Sequence, residues 1–205
     1  LGLLNKEFPR YQYQRLVWEK EGKTNTALAL QVDAIAQGLA NASFLAFPLF
    51  IVASNSNPYF SALEIVGLVI WVLAFAMESV ADLQKAGFLK AMKKAGKQRQ
   101  VCNVGLWKYC RHPNYFAEWM VWNGLVIAAI PSWLSLRGLE TDPVWYLLGV
   151  GLLMASGFMY ASLVYITGAV PSEYYSAQKR PGYTDYQKQT NRFFPGPRKD
   201  CSPHS

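Results

Sequence analysis

The sequence is poor in charge, cysteine and histidine. Asp, Glu, Lys and Arg make up only 16% of its 205 residues while 52% are hydrophobic, a balance that excludes a disordered chain. Scarce charge also argues against a nucleic-acid partner despite the net charge of +7, because such proteins coat a polar face with basic residues. The three cysteines, Cys102, Cys110 and Cys201, form no CxxC pair and no even disulfide framework, so reducing surroundings are expected. Cys102 and Cys110 with His112 fit no common zinc spacing and lack a fourth ligand, so no metal site is expected. No GxGxxG follows a strand pattern, which leaves out a soluble dinucleotide fold. The chain opens at Leu1 without a secretory leader pattern. That start is expected to be an internal point of a longer protein whose N-terminal spans are missing here.

What is present is unevenly placed. The 20 Lys and Arg residues fall as five in 6–23, eight in 85–111, one at Arg137 and six in 179–199. Between them lie four apolar stretches, 28–53, 59–77, 115–133 and 144–170, whose only charges are Asp33, Glu64 and Glu118. Each has about the 20 residues needed to cross a ~30 Å hydrocarbon layer as a helix. Gly149, Gly151, Ser156 and Gly157 inside the last stretch suit close helix packing in a membrane. The expected fold is therefore all-α: one polytopic membrane domain of about four transmembrane helices with cytoplasmic interfacial helices. Loop 55–58 has no basic residue and 135–142 has one, so the basic loop 82–114 and the tail 171–205 are assigned to the cytoplasmic side with both ends of the chain. Tyr59, Trp133, Trp145 and Tyr146 fall near span ends, where aromatic belts occur. Within the basic loop, Leu83, Ala86, Leu89, Met92 and Ala95 outline an apolar face opposite Lys85, Lys90, Lys93, Lys94 and Lys97. That pattern fits a helix on an anionic membrane surface or a solvated linker stopped at Gly96.

Chemistry concentrates where the basic loop meets the third span. Pro113 disfavours helix at His112, and Asn114 is a good cap for the helix that follows. Free backbone N–H groups at that helix start, with Arg111 and His112 beside them, make a site for a phosphate or carboxylate. One turn further, Tyr115, Glu118, Trp119 and Trp122 share a face. An acid in an apolar span is a functional candidate, and Glu118 suits ribose hydroxyls or an amine, or else an ion pair with Arg111. The aromatic stripe reads as core packing. Glu78 and Asp82, four residues apart, favour bridging to Lys85 and Arg111, with a functional role as the alternative. Asp33, Gln37 and Asn41, with Gln31 nearby, line one face of the first span. In the tail, Arg180, Tyr183 and Tyr186 are placed to close over a charged cofactor, or to snorkel at the surface.

These segments carry a resemblance. Gly105, Leu106, Trp107, Lys108 and Tyr109, then Arg111, His112, Pro113, Asn114, Tyr115 and Glu118, resemble a membrane family similar to the steroid 5-alpha-reductase C-terminal domain. Glu78, Asp82 and Gln84 resemble it too. So does the tail from Lys179, Arg180, Pro181, Gly182 and Tyr183 through Tyr186 and Thr190 to Phe193, Phe194 and Pro195. More distantly, the pattern is similar to sterol reductases and isoprenylcysteine carboxyl methyltransferases. The resemblance implies an oxidoreductase that uses NADPH to reduce a carbon–carbon double bond in a lipid-like enone, sterol or acyl. Arg111, His112, Asn114, Tyr115 and Glu118 would hold the cofactor, supported by Tyr183 and Tyr186, with Glu78 as candidate catalytic acid. Endoplasmic reticulum or bacterial inner membrane is the implied location. Two alternatives stand beside it: a membrane methyltransferase using S-adenosylmethionine, and a non-enzymatic scaffold or sterol-binding protein.

Overall fold

The computed structural model describes residues 9–22, 25–43, 45–55 and 57–199. Its helices are α1 (Pro9–Lys20), α2 (Thr26–Ser43), α3 (Phe47–Ala53), α4 (Ala62–Lys94), α5 (Pro113–Ser135), α6 (Asp142–Ala161), α7 (Ala169–Lys179) and α8 (Tyr183–Gln189), with a 3₁₀ turn at Gly105–Lys108 and a π turn at Ser162–Ile166. No strand occurs among the described residues; Cys110 with Asn191 and Arg137 with Glu140 form isolated bridges. The all-α expectation holds.

Local chemistry sets the helix ends. Ser61 opens α4 with a capping box in which its hydroxyl accepts from the Glu64 N–H and the Glu64 carboxylate accepts from the Ser61 N–H, satisfying two orphan donors at once. Lys93 and Lys94 close its last turn, where cations complement the helix dipole. Gly96 follows at φ 68°, a left-handed conformation glycine adopts without strain.

The outside of the molecule is more apolar than its packed seams. On α4 the bulky Leu63, Ile65, Val69, Val72, Leu73 and Phe75 are exposed, while the face turned inward carries Gly67, Ala74 and Ala81. Gly67 meets Gly124 of α5 so closely that a methyl group on Gly67 would stand 2.5 Å from the Ala128 nitrogen and 2.6 Å from the Gly124 oxygen. Small residues inside and large apolar ones outside is the pattern of helices packed in lipid. Between α5 and α6, Trp119 Nε1 donates to the Ser156 carbonyl (3.2 Å) and the Ser156 hydroxyl to Asn123 Oδ1 (2.8 Å). Trp119 packs among Phe116, Tyr160, Phe193 and Phe194, in keeping with a core role for the aromatic stripe.

Two helices, Ala62–Lys94 and the continuous Asp142–Lys179 path, are long and apolar enough to cross a membrane, fewer than the four expected. The stretch 28–53 does not form one helix. It is divided into α2 and α3 around Leu45 and Ala46, with Pro48 at the start of the second piece, a position where proline is favoured because its missing N–H has no intrahelical partner. Asp33 and Gln37 bond to each other on α2 (2.7 Å); the Asn41 side chain lies outside what is described. The third stretch does form a 23-residue helix, α5, but Asn114, Glu118 and Asn123 dilute its apolar character. The second is longer than expected: α4 continues through the first third of the basic loop, about 50 Å at 1.5 Å per residue. Lys85, Lys90, Lys93 and Lys94 therefore ride on an extension of the same helix, not on a separate helix lying along the surface.

Candidate functional site

The site is assembled from the end of α4, the segment 101–112, the start of α5 and the pair α7–α8. Gly105 at φ 52° lets the 3₁₀ turn fold over Gln84, whose Oε1 accepts from the Leu106 N–H (2.9 Å). A methyl group at Gly105 would overlap that amide. Trp107 is buried beside α4, its indole donating to the Ala81 carbonyl (2.9 Å), and Lys85 Nζ stands 4.4 Å from its ring centroid, within cation–π range. The tail clasps this segment. Arg111 N donates to the Asn191 carbonyl (2.9 Å), Gly196 N to the Tyr109 carbonyl (3.1 Å) and Cys110 Sγ to the Phe193 carbonyl (2.9 Å). The Tyr186 hydroxyl donates to the Trp107 carbonyl.

At its centre is Glu173 of α7, 4% exposed. Its carboxylate accepts from Arg111 Nε (2.7 Å) and Nη2 (3.2 Å), His112 Nε2 (3.1 Å) and Gln187 Nε2 (3.0 Å), and Arg192 Nε lies 3.4 Å away. Arg111 Nη1 donates to the Gln187 and Thr190 carbonyls (2.6 and 2.7 Å). The anion that Arg111 and His112 grip is thus supplied by the protein itself. Glu118 does not pair with Arg111, and neither do Glu78 and Asp82; the bridging expectation for these acids fails because Glu173 takes the guanidinium first. His112, not Asn114, is the N-cap of α5, with Pro113 at the first helical position. Asn114 sits inside the first turn with a buried Oδ1 that has no partner. Glu118 and Asp82 lie within electrostatic range of Tyr115, and Glu78 within range of Glu118 and Asp82. None of the three acids forms an ion pair among the described residues.

Burial governs the titrating groups of the clasp. It lowers the affinity of His112 for its proton, outweighing the Glu173 carboxylate that acts the other way, so the imidazole is neutral at pH 7. Burial pushes the Cys110 thiol up to about 11 and the Tyr183 phenol up to about 12, and raises Tyr186 further.

Beside the clasp opens a cavity of about 550 Å³ between α1, the start of α5 and α7, lined by Tyr11, Tyr115, Tyr175, Ser172, Lys179 and Arg180 among others. Ligand pockets span about 300–1,000 Å³. Of the expected site residues, Tyr115 and Arg180 line it. Arg111, His112, Tyr183 and Tyr186 line a smaller recess that shares Ser172, Ser176 and Arg180 with the large cavity. Asn114, Glu118 and Glu78 line neither. His112 reaches the large cavity through Tyr115, on which its ring is stacked at 5.2 Å with planes 1° apart. Sequence reasoning did not single out Glu173, Ser172 or Tyr175, and named Lys179 only as part of the tail's resemblance. For Glu173 a signal exists: it is the one acid between Asp142 and Asp185.

The fold and the site define an all-helical protein with two membrane-length helices and a basic, aromatic cavity held by a buried ion-pair hub. The chain belongs to the family described as "Protein of unknown function (DUF1295)", which it matches over residues 4–190. Neither a curated protein nor a solved structure matches it.

Proposed function

We propose that this protein is a membrane oxidoreductase resembling steroid 5-alpha-reductases, which uses NADPH to reduce a carbon–carbon double bond in a lipid-like enone. The observation that carries the reading is the lining of the 550 Å³ cavity: two cations, Lys179 and Arg180, three tyrosines and, among the described residues, no carboxylate. NADPH is a polyanion with two flat rings, and such a wall offers it charge and stacking faces. S-adenosylmethionine carries a sulfonium and an amine, which favour a carboxylate, and none lines this wall among the described residues, so the methyltransferase reading fits less well. Held there, the dinucleotide would supply the hydride. Lys179 and Arg180 would bind its phosphates, and Tyr115, Tyr175 and Tyr11 would flank its rings. Arg111 and His112 serve through Glu173, by fixing α7 and the Tyr115 wall. Glu78, grouped with Asp82 and Glu118, remains the proposed acid for the substrate carbonyl.

In the accompanying arrangement, α5 and the α2–α3 pair complete four spans beside the two longer helices. The cavity then opens on the cytoplasmic side of an endoplasmic reticulum or bacterial inner membrane.

Titrating the detergent-purified protein with each cofactor tests the reading. Saturable NADPH binding that weakens in Arg180→Ala is expected; saturable S-adenosylmethionine binding without NADPH binding would sink the reductase and favour the methyltransferase.

A further inference from the structure

Below the large cavity lies the smaller recess, about 20 Å³, lined by Lys85, Cys102, Trp107, Ser172, Ser176 and Arg180 together with the clasp residues. Its volume admits a single water-sized atom, and it adjoins the large cavity, with which it shares Ser172, Ser176 and Arg180 in its lining. Two cations meet here with no carboxylate paired to either among the described residues. Lys85 and Arg180 are half-buried and within electrostatic range of each other. Neither side chain forms an ion pair or hydrogen bond among the described residues. Asp82, one turn back on α4, is exposed and more than an ion-pair distance from Lys85. Glu173 is fully engaged by Arg111, His112, Gln187 and Arg192. No carboxylate lines either cavity among the described residues.

Like charges brought together at a half-buried position repel, and an anion placed between them relieves that repulsion. The Lys85 ammonium is anchored over the Trp107 ring, Trp107 is tied to α4 through Ala81, and Ser172 and Ser176 add hydroxyls from α7. The arrangement is a preformed holder for one terminal oxygen of a doubly charged group, with the rest of that group in the large cavity.

We infer that Lys85 and Arg180 bind the phosphate monoester of a ligand seated in the large cavity, with Ser172 and Ser176 completing the contact. Resting on the dinucleotide reading above, this group is the 2′-phosphate, and the recess sets the preference for NADPH over NADH. Lys85 contributes only to this discrimination, because it lines the recess and not the large cavity.

The experiment compares binding of NADPH, NADH and 2′,5′-ADP to the detergent-purified full chain, in wild type, Lys85→Met and Lys85→Arg, with thermal unfolding monitored in parallel. Wild type is expected to prefer NADPH over NADH by about tenfold or more, the range of a charge-assisted pair. Lys85→Met is expected to abolish that preference and 2′,5′-ADP binding while leaving NADH affinity unchanged and a cooperative thermal unfolding transition in place, lowered only by the lost contact with Trp107, and Lys85→Arg to retain most of the preference. Equal wild-type binding of the two dinucleotides, or a Lys85→Met variant that keeps the preference, overturns the phosphate recess and leaves the reductase reading standing. Absence of binding by all three ligands overturns both.

Discussion

Glu173 shows how one residue decides the character of a site. Arg111 and His112 look from the sequence like donors waiting for an external anion. The structure gives them a buried carboxylate only 4% exposed, reached from three sides and shared with Gln187 and Arg192. A buried charge network of this kind is sensitive to loss of one member, because the partners stay buried without compensation. Replacing Glu173 with alanine is expected to destabilise the protein by about 3–5 kcal/mol, read as a drop in thermal unfolding temperature in detergent. His112 adds a pH signature. Its folded-state proton affinity is depressed by burial, so the unfolded state binds the extra proton. Stability is expected to fall as pH drops below about 6.5, the unfolded histidine value. His112→Gln should flatten that slope below about pH 6.5, and an unchanged slope would show that another group carries it.

Among the elements, the α4–α5 crossing is the tightest constraint. Gly67 and Gly124 let the two backbones touch, and that contact holds the end of α4 with Gln84 and Lys85 over the 3₁₀ turn. Gly67→Ala should push the helices apart, at a cost of about 1–3 kcal/mol typical of overpacking, measurable by thermal unfolding. If stability is unchanged, the crossing is more yielding than its geometry implies. The elements also show where a sequence can be read. The apolar run 59–77 announces a helix, and Ser61 with Glu64 marks its start. Nothing in the run says that the helix continues to Lys94, because Gln84, Lys85 and Lys90 are good helix formers whether or not they leave the apolar layer. The division of 28–53 into α2 and α3 was hidden for the opposite reason: apolar residues continue on both sides of the break, and only packing of Leu45, Phe47 and Ile51 onto the α5–α6 core turns the chain there.

For the whole molecule, the uneven charge remains the main guide to orientation. The cationic end of α4 and the clasp lie together at one end. The other end is closed by Trp133 and Trp145, stacked at 4.3 Å, whose indoles donate to each other's backbone carbonyls (2.9 and 3.0 Å). The proposed topology puts these ends on opposite sides of the bilayer. In sealed vesicles of one orientation, a membrane-impermeant thiol reagent should label Lys97→Cys and Leu139→Cys from opposite faces; labelling of both from one face rejects it. Cys102 and Cys110 are buried, and burial raises both thiols, which should keep them from competing in the folded protein.

By itself the sequence determined that the chain is helical, that its apolar stretches are separated by basic ones, and that chemistry gathers around Arg111 and the tail. Those features follow from composition and spacing, which act locally and are legible along the chain. Tertiary structure decided which charges are satisfied and which are left free. Glu173 reaches Arg111 across 62 positions, while Lys85 and Arg180, 95 positions apart in the sequence, meet in one recess without an acid between them. Pairing depends on distance in space, and only the closing of α7, α8 and the tail around the segment that carries Trp107 and Arg111 sets those distances.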